Sequence, residues 1–326
     1  MNKKFITGIQ SSGTPHIANI YSIILPTISY ISKINKNYLF FIFIADLHSI
    51  TNYQNNNTLK NNIYKNAATW LSFLKFTKNV YFYRQSDIKE INELFWYLNC
   101  FYPFNRLKLC HVFKSNKNNL NTGVINYPIL MASDILLFDI NNVIIGKDQK
   151  QHIEITRKIA KIINNKFKEN IFIIPKYKIR YNYIIPGIDG NKMSKSKNNI
   201  INIFDDKENL KKQIMNIKTT NKSIKSINYN KIKNTILFKL YKIITNKEEF
   251  TYLKEKIKNN KIGFYNIKIK LYNYILYFYA KQRKKYYYYI NNKNIINKIL
   301  YNGYKKVNKI AKKKIFFIKE KIGLNI

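Results

Sequence analysis

Two lysines and two serines stand within five residues of this chain, at 192–196, and only Met193 among them is apolar. Pro186, Gly187 and Gly190 come just before this stretch, and these residue types favour turns over helices and strands. Ammonium and hydroxyl groups presented together on a loop suit a polyphosphate whose charge must be held while a bond to phosphorus breaks. The sequence therefore predicts a mobile phosphate-binding loop, provided that a second phosphate element lies upstream.

Two segments upstream have the form of such an element. A predicted strand at 4–9 is followed by a turn of small residues and then by a predicted helix at 16–32, with Ile20, Ile24 and Ile28 on one face. A strand, a small-residue turn and a helix start form the first unit of an α/β nucleotide fold, in which phosphates meet backbone N–H groups. The pattern recurs with a short strand at 143–145 and the turn that begins at Gly146. The helix after that turn is predicted to bury one face, which carries Ile155, Ile159, Ile162 and Ile163.

The intervening elements also alternate and predict a parallel sheet. The runs 39–45 and 79–84 have strand character, whereas 58–76 and 88–98 have helical spacing. His48 lies just past the carboxyl end of the strand at 39–45, where the ligand crevice of an open parallel sheet is found. The sequence leaves open whether His48 belongs to the site or has a purely structural role.

Asp134 interrupts an apolar helical run at 131–138. A carboxylate in such a run is either a satisfied structural group or a recognition group that faces a pocket, and the run alone favours neither. From Asp205 onward the spacing is helical and strands are not expected. We therefore predict a domain boundary near Asn199.

The composition limits the class of protein. The chain has 58 basic and 17 acidic residues, and the resulting net charge of +41 predicts a polyanionic partner. A gene rich in A/T codons would also favour Lys, Asn, Ile and Tyr, and so could raise the charge without selection for binding. The longest apolar run, at 39–45, is too short to span a bilayer, and an N-terminal signal pattern is not evident, so we expect a cytoplasmic protein without membrane attachment. Two cysteines and four dispersed histidines predict no metal cluster.

Six motifs together resemble the class I aminoacyl-tRNA synthetases, and most closely the bacterial tryptophanyl-tRNA synthetases. They lie at 7–13, 16–19, 45–51, 127–136, 146–152 and 192–196, in the order and spacing of that family. The run Asp148, Gln149, Lys150, Gln151 and His152 separates the chain from the tyrosyl-tRNA synthetases, in which Asp-Gln is usually followed by Trp-Gly-Asn. The resemblance covers the first half of the chain nearly from end to end.

The resemblance implies a fold and an activity. The fold is a Rossmann-like, parallel-sheet catalytic domain at 1–199 followed by an all-α anticodon-binding domain at 200–326. The activity is the activation of L-tryptophan by ATP with Mg²⁺ to tryptophanyl-AMP and pyrophosphate, followed by transfer of tryptophan to the 3′ end of tRNA(Trp). Relatives act as homodimers, so a homodimer is expected. C-terminal lysines, among them Lys305, Lys306 and Lys312 to Lys314, are expected to contact tRNA phosphates.

The resemblance also implies roles for individual residues. His16 would contact phosphate, and Lys192 and Lys195 would stabilise the charge of the leaving pyrophosphate. Asp134 would accept the indole N–H, and Tyr127 and Gln149 would hold the ammonium end of tryptophan. The apolar and aromatic slot would comprise Phe5, His48, Met131, Val143 and Ile145. The other ATP-binding positions would be Gln10, Ser11, Ser12, Ala18, Asn19, Gly146, Lys147, Asp148, Tyr183, Met193, Ser194 and Ser196.

Three positions depart from the family pattern. Ala18 stands where glycine is usual, Ser11 replaces a common proline, and Lys147 replaces a common glutamate. An extra methyl at Ala18 is expected to weaken ATP binding, because the adenine ring packs against the backbone there. Two alternatives stay open: a tyrosine-specific sibling, which the run at 149–152 disfavours, and a tRNA-binding paralogue that has lost activation, which Ala18 supports.

Overall fold

A computed structural model of the chain describes residues 3–33, 38–51, 55–75, 77–108, 121–179, 184–219, 232–259 and 262–325. Within these residues, five strands form one parallel sheet in the order β3-β2-β1-β4-β5. The strands are β1 (Lys3–Gln10), β2 (Tyr38–Ala45), β3 (Val80–Arg84), β4 (Asn142–Ile144) and β5 (Lys176–Lys178). The predicted α/β class with a Rossmann-like parallel sheet is confirmed.

Helices connect the strands, as parallel pairing requires. In the first part of the chain they are α1 (Ile17–Asn19), α2 (Leu25–Lys33), α3 (Asp46–Ile50), α4 (Asn56–Phe73), α5 (Lys89–Phe101), α6 (Phe104–Leu107), α7 (Thr122–Ile125), α8 (Tyr127–Leu136) and α9 (Lys150–Phe167). The later ones are α10 (Lys207–Met215), α11 (Ile236–Ile244), α12 (Lys247–Lys258), α13 (Phe264–Phe278), α14 (Ala280–Asn291) and α15 (Lys293–Ile322). As predicted, the described residues from Asp205 onward contain helices but no strand.

The helix predicted at 16–32 is interrupted. A π-helical segment, Ile20–Ile24, separates α1 from α2. Ile20 and Ile24 are buried as predicted, but Ile28 is only partly buried, and Pro26 and Thr27 take the buried positions of α2. A π turn inserts one extra residue into the helical repeat and therefore rotates the buried face of α2 relative to that of α1.

The chain divides into two compact units. Unit 1 comprises Met1–Gly13, Ser22–Asn182 and Tyr289–Ile326, and unit 2 comprises Thr14–Tyr21 and Tyr183–Tyr288. This division differs from the predicted domains, because the C-terminal segment belongs to unit 1 and a short segment near the N-terminus belongs to unit 2. The predicted division concerned catalytic and tRNA-binding roles, and those roles stay a prediction.

The sheet of unit 1 has side chains packed on both faces. On one face, Ile6, Phe41 and Val143 share a core with α5, α8, α9 and α15. On the other, Asn66 of α4 donates from Nδ2 to the carbonyl oxygen of Ile9 at 2.8 Å. Each large apolar side chain that is fully buried in this way contributes about 1.5–3 kcal/mol to stability. Because both faces are covered, the strands carry the nearly continuous apolar runs seen in the sequence.

Helix α15 covers the edge strand β3. Gly303 lies against the backbone of Phe82, so closely that a Cβ atom there would stand 1.8 Å from the Phe82 carbonyl oxygen. Farther along the helix, Lys314 pairs with Asp139 at 2.7 Å and donates to the Ile171 carbonyl oxygen at 2.6 Å. These contacts explain why the C-terminal helix belongs to unit 1.

Unit 2 has its own helical core. Tyr21 donates to the carbonyl oxygen of Ile244 at 2.7 Å and also hydrogen-bonds to the hydroxyl of Tyr279. The rings of Phe204 and Tyr286 stack with their centroids 4.3 Å apart. Tyr279 and Tyr286 are thus core residues of the basic C-terminal half, whereas Tyr265 and Tyr277 are exposed. Across the described segments of both units, no helix is long and apolar enough to cross a membrane.

Candidate active site

Polar side chains follow three adjacent strands of the sheet at their carboxyl ends. Gln10 is the last residue of β1, His48 lies in α3 directly after β2, and Gln85 opens a 3-10 turn, Gln85–Asp87, directly after β3. The carboxyl ends of parallel strands meet at one edge, so the three side chains gather at the position where α/β folds bind ligands. The location of His48 in a polar cluster agrees with the site alternative left open by the sequence.

Asp134 of α8 reaches this edge and is the centre of the cluster. Its side chain is buried, with 1% of the residue exposed. Gln85 donates from Nε2 to both carboxylate oxygens at 2.9 Å, and His48 Nε2 lies 3.1 Å from Oδ2. Burial raises the pKa of Asp134, and the contacts with His48 and Gln85 oppose that rise. The carboxylate is therefore a hydrogen-bonded group in a dry environment.

Tyr127 joins the cluster at the start of α8. Its ring centroid lies 4.1 Å from that of His48 and 5.3 Å from that of His152, and its hydroxyl lies 3.4 Å from Gln10 Nε2. Burial raises the pKa of Tyr127 above its ordinary value. Burial lowers the pKa of His152 to about 4, and His48 adds to the effect. Both side chains are therefore neutral at physiological pH.

The predicted apolar slot is only partly brought together. Val143 and Ile145 are buried in the core beside α8, and Met131 packs against the same cluster. Phe5 lies on the opposite face of β1, where its ring stacks on Phe40 with the centroids 5.1 Å apart. Side chains alternate along a strand, so the neighbouring residue Ile6, which pairs with Val143, faces the slot instead. Ile6, and not Phe5, therefore shares a cluster with Val143 and Ile145.

The first group of predicted ATP residues lies at the end of β1. Ser11 is buried, and its backbone N–H donates to Ser49 Oγ at 2.7 Å, whereas Ser12 is exposed. Proline, the residue common in the family at this position, has no N–H, so Ser11 adds a hydrogen bond between the end of β1 and α3. The departure at Ser11 thus has a structural role here.

The second group follows β4. Gly146 precedes a 3-10 turn, Lys147–Gln149, in which Lys147 and Asp148 are exposed. The side chain of Gln149 donates to Asp148 Oδ2 at 3.3 Å. A Cβ atom at Gly146 would stand 2.8 Å from Asp148 Oδ1, so glycine leaves room for that carboxylate. The turn presents both charges of the Lys147 and Asp148 pair to solvent.

Unit 2 brings the other predicted phosphate residues together. The backbone N–H of Ile17 in α1 donates to the carbonyl oxygen of Ile201 at 2.9 Å, which joins α1 to the segment after the lysine-rich loop. Asn19 accepts from the backbone N–H of His16 at 3.1 Å, and Ala18 between them is partly buried. Burial lowers the pKa of His16 to about 3, with added effects from Lys195 and Lys192. His16 is therefore neutral beside two cations.

The lysine-rich loop is a turn whose ends are joined by a backbone bridge. Pro186 and Lys192 form an antiparallel bridge, and Gly190 between them has φ +92°, a conformation that favours glycine. The Asn199 side chain, almost fully buried, accepts from the Ser194 N–H at 2.7 Å and donates to the Lys192 carbonyl oxygen at 3.1 Å. Met193, which stands between Lys192 and Ser194, is buried beneath the turn and fixes the loop to the protein by apolar packing.

Two predicted residues are not described. Tyr183 and the side chain of Ser196 lie outside the described residues, so their expected contacts with ATP stay predictions. In the part of the chain that the structure describes, no three His, Cys, Asp or Glu side chains are grouped as metal ligands would be.

Comparison with known proteins identifies the family. The family model for class I tRNA synthetases of the tryptophan and tyrosine type matches residues 2–280. Tryptophan–tRNA ligases from Fusobacterium nucleatum and Campylobacter jejuni are each 35% identical, and the matches cover 99% and 98% of this chain and 98% and 100% of those proteins. The chain belongs to this synthetase family, on its tryptophan branch.

A solved structure agrees with this assignment. The tryptophanyl-tRNA synthetase of Campylobacter jejuni, complexed with ADP and tryptophan, has a TM-score of 0.87 at 35% identity. The match covers 98% of this chain and 100% of that one. The synthetase therefore shares both its sequence and its fold with these relatives over nearly its whole length.

Two residues of the synthetase cluster were not among the predicted site residues. Gln85 contacts Asp134 and His48, and His152 packs its ring beside Tyr127. His152 belongs to the motif that distinguished the tryptophan branch, so a signal for it was present. The signal for Gln85 was its position directly after a predicted strand at 79–84. The contact with Asp134 itself joins residues that are 49 positions apart.

Proposed function

We propose that this synthetase activates L-tryptophan with ATP to give tryptophanyl-AMP and pyrophosphate, and then transfers tryptophan to the 3′ end of tRNA(Trp). The observation that carries the proposal is the buried Asp134 carboxylate beside an apolar slot. Full-length relatives at 35% identity are tryptophan–tRNA ligases, and the Campylobacter jejuni structure contains ADP and tryptophan. A relative thus binds tryptophan together with an adenine nucleotide, which supports the two substrates of the proposed first step.

Asp134 supplies the selectivity for tryptophan. Its carboxylate accepts the indole N–H, which phenylalanine lacks. A site built around such a bond rejects an analogue without the donor by about 10⁴–10⁵, because the buried acceptor is then left without its partner. Ile6, Val143 and Ile145 supply the apolar surface against which the indole ring packs, and Met131 lies at its margin.

The ammonium end of tryptophan is assigned to Tyr127 and Gln149. Tyr127 is held by its contacts with His48 and Gln10, and burial keeps its hydroxyl protonated. A hydroxyl oxygen and an amide oxygen are both acceptors that suit an ammonium group. His48 thus contributes by fixing Tyr127 and Asp134, and its ring forms one wall of the slot.

The chemical step needs positioning and charge stabilisation. The tryptophan carboxylate attacks the α-phosphorus of ATP, so the protein has no need of a nucleophile of its own. Lys192 and Lys195 stabilise the negative charge on the leaving pyrophosphate, and Mg²⁺ that arrives with ATP shares this charge. Neutral His16 donates a hydrogen bond to phosphate and adds no positive charge. The loop therefore provides ammonium groups, and α1 provides a neutral donor.

The remaining ATP contacts are assigned to two turns and to the loop. They comprise Gln10, Ser11, Ser12, Ala18, Asn19, Gly146, Lys147, Asp148, Tyr183, Met193, Ser194 and Ser196. The backbone of the turn after β1 and the start of α1 suits phosphate and adenine, whereas the turn at Gly146 suits the ribose. Lys147 is exposed, so its charge reversal relative to the family acts through solvent and is weakened by salt.

The proposed partners and location extend this activity. The helical part of the chain binds tRNA, and exposed lysines contribute contacts to phosphate whose strength falls with salt. Lys314 is left out of these contacts because its ammonium group pairs with Asp139. We also propose a cytoplasmic homodimer. Exposed Trp96 and Phe104, on α5 and α6, support it because association would cover them.

Amino-acid-dependent exchange of ATP with labelled pyrophosphate tests the proposal. The assay is run on the purified full-length chain with tryptophan, tyrosine and phenylalanine in parallel. We expect exchange with tryptophan at a rate far above that with the other two amino acids. Exchange that prefers tyrosine would favour the tyrosine-specific alternative, and no exchange with any of the three would favour a paralogue that only binds tRNA.

A further inference from the structure

Gln85 is a buried amide that contacts Asp134, the centre of the polar cluster. It is the first residue of the turn after β3, and none of it is exposed to solvent. A glutamine removed from water in this way must find partners inside the protein for both its oxygen and its nitrogen. Both partners are groups of the cluster, namely His48 and Asp134.

The orientation of the Gln85 amide is fixed by the backbone. The N–H of His48 donates to Gln85 Oε1 at 3.3 Å. With the oxygen engaged there, Nε2 must point the other way, and it lies 2.9 Å from each carboxylate oxygen of Asp134. The end of β2 thus determines which face the amide presents to α8.

The contacts of Asp134 leave one oxygen better able to accept a further hydrogen bond. Oδ2 receives both Gln85 Nε2 and His48 Nε2, whereas Oδ1 receives Gln85 Nε2 alone. A carboxylate has about four lone-pair positions, two on each oxygen. Oδ1 therefore retains one acceptor position, and Gln85 and His48 hold the carboxylate so that its orientation does not drift.

Gln85 also favours the ionised form of Asp134, which is the better hydrogen-bond acceptor. Burial raises the pKa of Asp134, which favours the protonated form, and the hydrogen bond from Gln85 lowers it. A protonated carboxyl group can donate through one oxygen and is a weaker acceptor than the ion. The amide therefore helps to keep the acid ionised in a dry pocket.

We propose that Gln85 is a specificity-determining positioning residue, which holds the Asp134 carboxylate with Oδ1 turned to accept the indole N–H of the substrate. The inference rests on the proposed function and deepens it, because it assigns part of the selectivity to a residue that touches Asp134 instead of the substrate. Gln85 acts on the choice of amino acid and leaves the phosphate chemistry to other residues.

A substrate analogue isolates this role. In β-(3-benzothienyl)alanine, sulfur replaces the indole N–H while the ring system keeps nearly the same shape. The selectivity ratio is defined as kcat/KM for tryptophan divided by kcat/KM for this analogue, both from pyrophosphate exchange. In Gln85→Met, which keeps the length but removes the amide, we expect the ratio to fall by about tenfold to a hundredfold, the range for one hydrogen bond to a charged group.

Three further variants make the result specific. Gln85→Glu keeps the shape and polarity but sets a second carboxylate against Asp134, so the two must share a proton, and we expect at least the same fall. In an Asp134→Asn background, Gln85→Met should lower the ratio no further, because the two residues act as a unit. The matched control is Ser86→Ala in the same turn. Ser86 donates to another buried carboxylate, that of Asp46, from its backbone N–H at 2.9 Å and from Oγ at 2.5 Å, and loss of the Oγ bond should leave the ratio unchanged.

The outcomes separate the inference from the function on which it rests. A merely structural role for Gln85 would lower kcat/KM for both substrates alike and leave the ratio unchanged, which overturns the inference. If Gln85→Met does not fold, Gln85→Glu decides in the same way. Wild-type protein that shows no tryptophan-dependent exchange overturns the proposed function, and the inference with it.

Discussion

Gly303 is the position at which one methyl group should have the largest calculable effect on unit 1. An alanine Cβ there would lie 1.8 Å from the Phe82 carbonyl oxygen and 2.6 Å from the Phe82 carbonyl carbon, whereas Cβ atoms essentially never come within 3.0 Å of another atom. Helix α15 or strand β3 must therefore move by at least 1.2 Å. The obstacle is backbone of a sheet strand, so rotation of a side chain cannot relieve it.

The free-energy balance for Gly303→Ala is set by two opposing effects. Alanine in a helix interior is favoured over glycine by about 1 kcal/mol. Overpacking of a buried contact costs about 1–3 kcal/mol and more where backbone must shift, and the 1.2 Å displacement places this case at or above the top of that range. We expect a net loss of about 2 kcal/mol, which lowers the melting temperature by about 4–8 °C.

Urea denaturation and thermal melting measure this prediction. The matched control is Gly263→Ala at the start of α13, where an added Cβ meets no atom within 4 Å, so its effect should stay below about 1 kcal/mol. Phe82 lies three residues before Gln85, so displacement of β3 should also raise the tryptophan KM more than the ATP KM. A stability of Gly303→Ala equal to or above that of the wild type would refute the reasoning.

Three further predictions concern the site. Lys195→Ala should slow pyrophosphate exchange by about 10²–10³ with little change in tryptophan binding; Lys197→Ala in the same loop is the control, and an unchanged rate for Lys195→Ala would exclude the role. Asp134→Ala should lose both rate and discrimination in parallel exchange assays, and a retained preference for tryptophan over phenylalanine would contradict its assignment. The pKa of His16 is about 3 in the folded chain, against 6.5 ordinarily, so the unfolded chain binds this proton first as the pH falls. Protonation of His16 in the unfolded chain should therefore lower the free energy of unfolding by up to about 2 kcal/mol between pH 6.5 and pH 5. In urea titrations, the free energy of unfolding of His16→Asn should fall less steeply over that range. Parallel pH profiles for the two proteins would disprove this.

Most of the segments that form the parallel sheet were predictable from local patterns. Four of the five described strands coincide with apolar runs bounded by turn residues, because a strand covered on both faces must be apolar along its length. Strand β5 was missed because Lys176, Tyr177 and Lys178 are polar and partly exposed and so lack the apolar pattern of a buried strand. Its extended conformation comes from pairing with β4. The interruption of the helix at 16–32 was missed because the apolar spacing of Ile20, Ile24 and Ile28 continues across the π-helical segment without a break.

Which unit a segment joins was decided by packing. The C-terminal helix α15 has the same lysine-rich composition as the helices of unit 2, yet it lies on β3 in unit 1. Gly303 makes the close approach possible, and the residue that it meets, Phe82, is more than two hundred positions away. Composition describes a segment's own solubility, whereas the partner that covers its apolar face is set by the rest of the chain.

The sequence by itself determined which residues have the chemistry for this activity: two lysines and two serines on a turn, a carboxylate within an apolar helix, and a histidine after a strand. Their types and spacing are local properties, and they identified the family. Only the tertiary structure decided which groups meet. It grouped Ile6 instead of Phe5 with Val143 and Ile145, and it surrounded Asp134 with His48 and Gln85, which stand 86 and 49 positions away. A buried polar group needs partners wherever the fold supplies them, so these contacts depend on the packing of the whole sheet and cannot be read from local spacing.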